Sequence, residues 1–222
     1  MEKIITEKSF HKSMQIMGID LAGKVDNPTG ICVLNLDNDR DNNGRGVTPP
    51  EREIYLTTLY TNEEILKKIC EVNPTLIVID ARLSLPKERC CLEKDCECAV
   101  GGHFRQSERE IRRYGPVLPL TFTGMKMLTM RGVGLACDLS GKYLLKETHP
   151  HTVGKMLGFH HLKKNLEDFL IIPPETNEHE LDAILAALCG FFYMNDCYLE
   201  LGNAEEGTII LPRDQNCLRM VK

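Results

Sequence analysis

Four carboxylates close apolar segments of this chain, at positions where charge does nothing for stability. Asp20 ends the run in IMGIDL (16–21), Asp80 the run in TLIVIDA (75–81), and Glu147 the run in YLLKET (143–148). Asp182 is the only carboxylate in LDAILAALCGFFYMN (181–195). A charge at the end of a buried element costs several kcal/mol unless it has a partner. Four acids from four separate elements point to a shared partner, and hard oxygen donors select Mg²⁺ or Mn²⁺. Two such ions about 4 Å apart, held by carboxylates, activate water and stabilise a leaving oxygen in phosphodiester hydrolysis. Each acid also has an ordinary role open to it. Asp20 can organise the Leu-Ala-Gly turn after it, Asp80 can pair with Arg82, and Glu147 can pair with Lys146 or His149. Asp182 can simply favour the start of a helix dipole. Glu178 and His179, one turn before Asp182, are substitutes for the last ligand; Glu63 and Glu64 are first-turn helix acids.

A second group has different chemistry. Cys90, Cys91, Cys96, Cys98 and His103 lie between positions 90 and 103. Thiolates and imidazole are zinc ligands, although the spacing is not a pair of C-x-x-C knuckles. Five donors compete for four places, so one is spare. Adjacent side chains diverge in extended chain, which makes Cys90 or Cys91 the expected spare. A redox pair or a loop without metal are the alternatives. Arg105, Arg109, Arg112 and Arg113 fall along one side of an expected helix. Arg105 and Arg109 are the candidates to hold phosphate, since guanidinium forks match its oxygens; a solvated face paired with Glu108 and Glu110 is the plainer reading. His160, His161, Lys163 and Lys164 form a further basic patch.

The elements that must position these residues follow from periodicity. Strands are expected over 16–21, 30–36 and 52–60, with the first two in a hairpin and a polar loop over 37–51. Helical spacing covers 62–72, and 75–80 is a near-continuous apolar strand suited to a parallel sheet. Residues 81–142 are a long interruption holding the cysteine-rich segment, a basic helix near 106–114 and a helix near 124–139. A fifth strand over 143–148, a short helix near 152–157 and a basic link through 160–164 follow. A helix over 178–194 opens with an Asn177-x-x-Glu180 capping box, and 207–212 (GTIILP) can add an edge strand. Three antiparallel strands, then strands joined through helices, make an α/β protein with a mixed five-stranded sheet and flanking helices.

Bulk properties narrow the class. The 222 residues fit one domain, 1–222, interrupted by the insertion 81–142 between the fourth and fifth strands. No run of about 18 apolar residues exists, so no membrane span is expected. The mixed, charged N-terminus lacks an apolar signal core, and the expected location is cytoplasmic. A net charge of −5 argues against coating nucleic acid by bulk charge, but not against a local basic groove. Ten cysteines without a signal peptide do not form a disulfide framework. Cys32, Cys70, Cys137, Cys189, Cys197 and Cys217 therefore read as small apolar residues. With no Trp and aromatics at 6%, a stacking platform for single strands is disfavoured.

The strings GIDLAG, VIDARLSLP, ETHP, HELDAILAAL and the terminal GTIILP closely resemble an uncharacterised prokaryotic family of predicted nucleases. That family has a ribonuclease H-like fold and is akin to the RuvC resolvase and YqgF groups. The resemblance spans most of residues 16–212. It implies a ribonuclease H-like fold and a Mg²⁺- or Mn²⁺-dependent nuclease acting on DNA or RNA, with Asp20, Asp80, Asp182 and Glu147 as metal ligands. It departs from the resolvase pattern at Leu185, where a second acid is common on the last helix. The cysteine strings also resemble those of the family, which favours a structural role for them. Two rivals keep the fold: a non-catalytic module binding nucleic acid or protein, and an actin-like phosphotransferase, whose phosphate loop the Asp-Leu-Ala-Gly turn resembles.

Overall fold

The computed structural model describes residues 14–36 and 53–221. The loop expected over 37–51 and most of the charged N-terminal segment lie outside them. Three strands open the fold: β1 (Met14–Asp20), β2 (Thr29–Leu36) and β3 (Ile54–Leu59). β1 pairs antiparallel with β2, and β2 with β3. Helix α1 (Asn62–Val72) follows, fixed at its start by a Thr61–Glu64 capping box. It leads to β4 (Leu76–Asp80), which lies parallel to β1.

Residues 81–144 hold a 3₁₀ turn (Glu97–Gly101), α2 (Gln106–Ile111) and α3 (Thr123–Leu139). β5 (Leu145–Glu147) then runs parallel to β4. α4 (Pro150–Met156), α5 (Leu162–Glu167) and α6 (Glu178–Met194) come next. α5 occupies what the sequence presents as a basic link. A hairpin of β6 (Tyr198–Asn203) and β7 (Gly207–Pro212) closes the sheet.

The sheet has seven strands, in the order β3-β2-β1-β4-β5-β7-β6, rather than five. β7 sits inside the sheet beside β5, and β6 takes the edge. The first five strands keep the 3-2-1-4-5 order, with two antiparallel pairs followed by parallel strands. That is a ribonuclease H-like α/β fold with helices on both faces.

Strand periodicity divides the core in two. Ile16, Leu76 and Val78 point to the face covered by α6 and α4. Met17, Ile19, Ile77 and Ile79 point to the face covered by α1 and α3. α6 comes unusually close to the sheet because glycine makes room. A Cβ on Gly18 would overlap the Ala183 carbonyl, and one on Gly30 would overlap the His179 carbonyl. Cys197 and Cys217 are joined in a disulfide between the chain before β6 and the 3₁₀ turn Gln215–Met220. Their reading as isolated apolar residues is corrected: the two cysteines stand 20 apart in sequence, and only the β6–β7 hairpin brings them together.

Candidate active site

The site is built by parity. Asp20 and Asp80 are register partners at the carboxyl ends of β1 and β4. Both share the parity of Ile16, Gly18, Leu76 and Val78, so their side chains point to the α6 face. The first turns of α6 cross that face at the same level. Asn177 accepts from the Glu180 amide, and Glu180 reaches back to the Asn177 amide, which is the capping box the sequence predicts. Thr58 ties this end of the helix to β3 through Glu180 and Asn177. The close approach at Gly30, the register partner of Asp20, then brings His179 and Asp182 over the strand ends. The His179 Nδ1 lies 2.8 Å from Asp20 Oδ2.

The electrostatics are those of an acid cluster short of cations. Burial is the main cause that pushes the Asp80 carboxyl up to about 8; Asp20 and Asp182 add to it, and Arg82 partly offsets it. Burial and then the charge of Asp20 raise Asp182 to about 6, against the pull of His179. Asp20 is raised by burial, with His179 opposing. Among the described residues, neither the Asp80 nor the Asp182 carboxylate takes part in a hydrogen bond or ion pair. Both residues are half-buried, where an acid without a protein partner keeps only part of its hydration. The three aspartates do not collapse onto one point. Among the described residues, the only group of three or more donors lying mutually within 4.8 Å is the four cysteines.

Glu147 does not join this cluster. It is the register partner of Ile79, and that parity turns it to the opposite face of the sheet. There it accepts both ends of the Arg105 guanidinium, at 2.6 and 2.7 Å, and the Leu83 amide at 2.6 Å. The expectation that Glu147 is a metal ligand is therefore corrected: its oxygens are occupied, and they face away from the aspartates. Neither Lys146 nor His149 is its partner.

Arg105 is corrected with it. Its side chain has no exposure and is divided between Glu147 and Glu108. Glu108 is also 3.4 Å from Arg82. Arg105 and Arg82 hold Glu108 below the usual carboxylate range in spite of its burial. A guanidinium so enclosed cannot reach a phosphate. Arg109 is exposed, and its contacts are the Phe104 carbonyl at 2.8 Å and Glu206 at 3.5 Å, not the aspartates.

The cysteine cluster includes Cys90, Cys91, Cys96 and Cys98 but not His103, whose ring bonds Thr121 at 2.9 Å. The donor left outside the group is the histidine; the chain bends at Cys90, and both neighbouring sulfurs join the group.

Two features escape a reading by motif. A pocket of about 380 Å³ opens beside Asp182, with His151, Lys155 and His160 on its walls. His151 and Lys155 come from α4 and His160 from the link before α5, and only folding places them next to α6. Arg131 of α3 donates to the carbonyls of Ala22, Lys24 and Tyr60. It thereby pins the chain that follows Asp20 against the start of α1.

The strand order defines a ribonuclease H-like fold, with Asp20 and Asp80 at the carboxyl ends of β1 and β4 and Asp182 on α6. No family model matches the chain, and no curated protein matches it. Among solved structures, it is similar to T. thermophilus RuvC in complex with a Holliday junction substrate. The identity is 13% and the TM-score 0.46, over 82% of this chain and 96% of that one. The fold assignment here rests on the strand order and pairing, not on that likeness. No helix among the described residues is long and apolar enough to cross a membrane.

Proposed function

We propose that the protein is a divalent-metal-dependent nuclease, a single ribonuclease H-like domain interrupted between β4 and β5. The observation that carries this reading is that Asp80 and Asp182, beside Asp20, have no side-chain partner among the described residues, three hard-oxygen donors at one sheet face. Such a donor set fits Mg²⁺ or Mn²⁺ and is poor for softer ions. When bound, the ions supply Lewis-acid activation of water and neutralise charge on phosphate.

The residues divide the remaining work. Asp80, at the centre of the sheet, and Asp20 beside it form the floor of the site. Asp182 enters from α6. His179 holds Asp20 in place through its 2.8 Å contact and is the fourth candidate ligand, in the place the sequence offers to Glu147. His151, Lys155 and His160 supply donors for phosphate in the pocket beside Asp182, the role first read onto Arg105 and Arg109. DNA and RNA both remain substrates under this reading.

The test is cleavage of labelled single-stranded, duplex and branched DNA and RNA by purified protein. Cleavage should require Mn²⁺ or Mg²⁺, stop with EDTA, and be lost in Asp80→Asn and Asp182→Asn. Cleavage that persists in both variants, or no cleavage of any substrate with either metal, overturns the proposal.

A further inference from the structure

Between β4 and α2, the segment 86–104 has little apolar core of its own. Leu92 is its buried apolar side chain, while Val100 is 80% exposed. What organises the loop is polar. The Arg89 guanidinium is buried and donates to the carbonyls of Gly102, Cys91 and Glu93, at 2.5, 3.1 and 3.3 Å. Gly101 packs against the backbone of Lys87, where a Cβ would not fit. Around this hub the sulfurs of Cys90, Cys91, Cys96 and Cys98 all lie within 4.8 Å of one another.

The spacing of those sulfurs is informative. Tetrahedral zinc with Zn–S of about 2.3 Å places its sulfurs about 3.8 Å apart. Here Cys90–Cys96 is 4.0 Å, Cys91–Cys98 is 3.6 Å and Cys96–Cys98 is 3.2 Å. All four are free thiols, while Cys197 and Cys217 are bonded to each other. Four sulfurs at mutual contact surround a point. They do not single out two pairs, as a redox switch would, and they are too close together for a polynuclear iron–sulfur cluster.

We propose that Cys90, Cys91, Cys96 and Cys98 form a closed, structural Zn²⁺ site, with the sequence pattern C-C-x₄-C-x-C. Four thiolates around Zn²⁺ carry a net charge of −2, and Arg89, whose hydrogen bonds all go to carbonyls, lies beside them to balance part of it. The ion replaces the apolar core that the loop lacks. Its reach extends further. Arg89 grips Gly102, His103 accepts from the Leu120 amide, and Arg105 next in line is the guanidinium buried against Glu147. The zinc loop thus sets the register of the residue that fills the underside of the catalytic sheet.

The experiment is elemental analysis of protein purified without added metal, together with thiol titration. About one zinc per chain is expected, and its release should run in step with the capture of four thiolates as mercaptides when a mercurial is titrated in. Replacement by Co²⁺ should give the intense visible bands of a tetrahedral thiolate site. Amides of 86–104 should exchange at least about tenfold faster after zinc removal, before the sheet opens. The Cys96→Ser/Cys98→Ser variant should lose the zinc; if that variant does not fold, the wild-type titration alone decides. Zinc well below one equivalent with freely titratable thiols, iron in place of zinc, or two disulfides found by mass spectrometry each overturn the proposal. The Mn²⁺ dependence of cleavage is a separate readout, so neither failure implies the other.

Discussion

Replacing Asp80 with asparagine isolates the electrostatic cost of the acid cluster, because shape is kept and charge is removed. In the metal-free protein the Asp80 carboxyl is raised from 3.8 to about 8. At about 1.4 kcal/mol per pH unit, that corresponds to roughly 6 kcal/mol against the charged form when Asp80 is fully ionised. Water at the open edge of the site screens part of it, and an Asn side chain leaves its own polar atoms to satisfy, so Asp80→Asn should stabilise by about 2–3 kcal/mol. For a domain of this size that raises Tm by about 5–10 °C. The sign depends on pH. Below the unfolded value of 3.8 both states are protonated and the variant gains nothing. Between there and about 8 the folded state keeps a proton that the unfolded state has lost, so wild-type stability falls with rising pH and the gain of the variant grows. Above about 8 the gain is constant. Differential scanning fluorimetry of both proteins in EDTA, from pH 4 to 9, reads this directly. Added Mn²⁺ should raise the wild-type Tm and leave the variant unmoved. A variant destabilised equally at every pH would mean that Asp80 is a structural partner, and the reasoning from uncompensated charge would be wrong.

Metal affinity should fall with pH, since Asp80 near 8 and Asp182 near 6 must release protons to bind; calorimetry at pH 8.5 and 6 should show at least about tenfold weaker Mn²⁺ binding at the lower pH. Breaking the buried pair with Arg105→Met or Glu147→Gln should cost about 3–5 kcal/mol; equilibrium denaturation that finds either variant as stable as wild type would return Arg105 to the phosphate-binding role. Gly30→Ala, whose Cβ would meet the α6 backbone at His179, should destabilise by about 1–3 kcal/mol and abolish cleavage by lifting Asp182 off the strands; full activity in that variant would show that the close approach is not needed. Lys155→Ala should weaken binding of nucleic acid, in a salt-dependent manner, without changing Mn²⁺ affinity; filter binding with catalytically dead protein measures it.

The strands and long helices were legible because their signals are local. Periodicity placed β1, β2, β4, α1 and α6, and the Asn177–Glu180 cap fixed where α6 begins. Asp20, Asp80 and Asp182 stood out because nothing near them in sequence neutralises a charge on a buried element. Glu147 looked the same for that reason, and the error was one of parity. A three-residue strand gives no alternation to read, so only its pairing with Ile79 shows which face it takes. Arg105 misled in a similar way. Its helix looks basic on one side, but its partners lie 3 and 42 residues away, and burial reverses its meaning. The β6–β7 hairpin is local, but the disulfide that depends on it and the pairing of β7 with β5 are announced by no short motif. The four cysteines were visible as donors, yet the choice between Cys90, Cys91 and His103 needed the bend that brings neighbouring thiols to one point.

The account depends on one physical claim, that Asp20, Asp80 and Asp182 converge on divalent metal. Anomalous diffraction at the manganese edge from crystals soaked in Mn²⁺ tests it most directly. The account predicts strong anomalous density among the carboxylates of Asp20, Asp80 and Asp182, absent from Asp80→Asn crystals, with none at Glu147. Density at Glu147 on the other face of the sheet, or none among the three aspartates at saturating Mn²⁺ and pH 8.5, would contradict it.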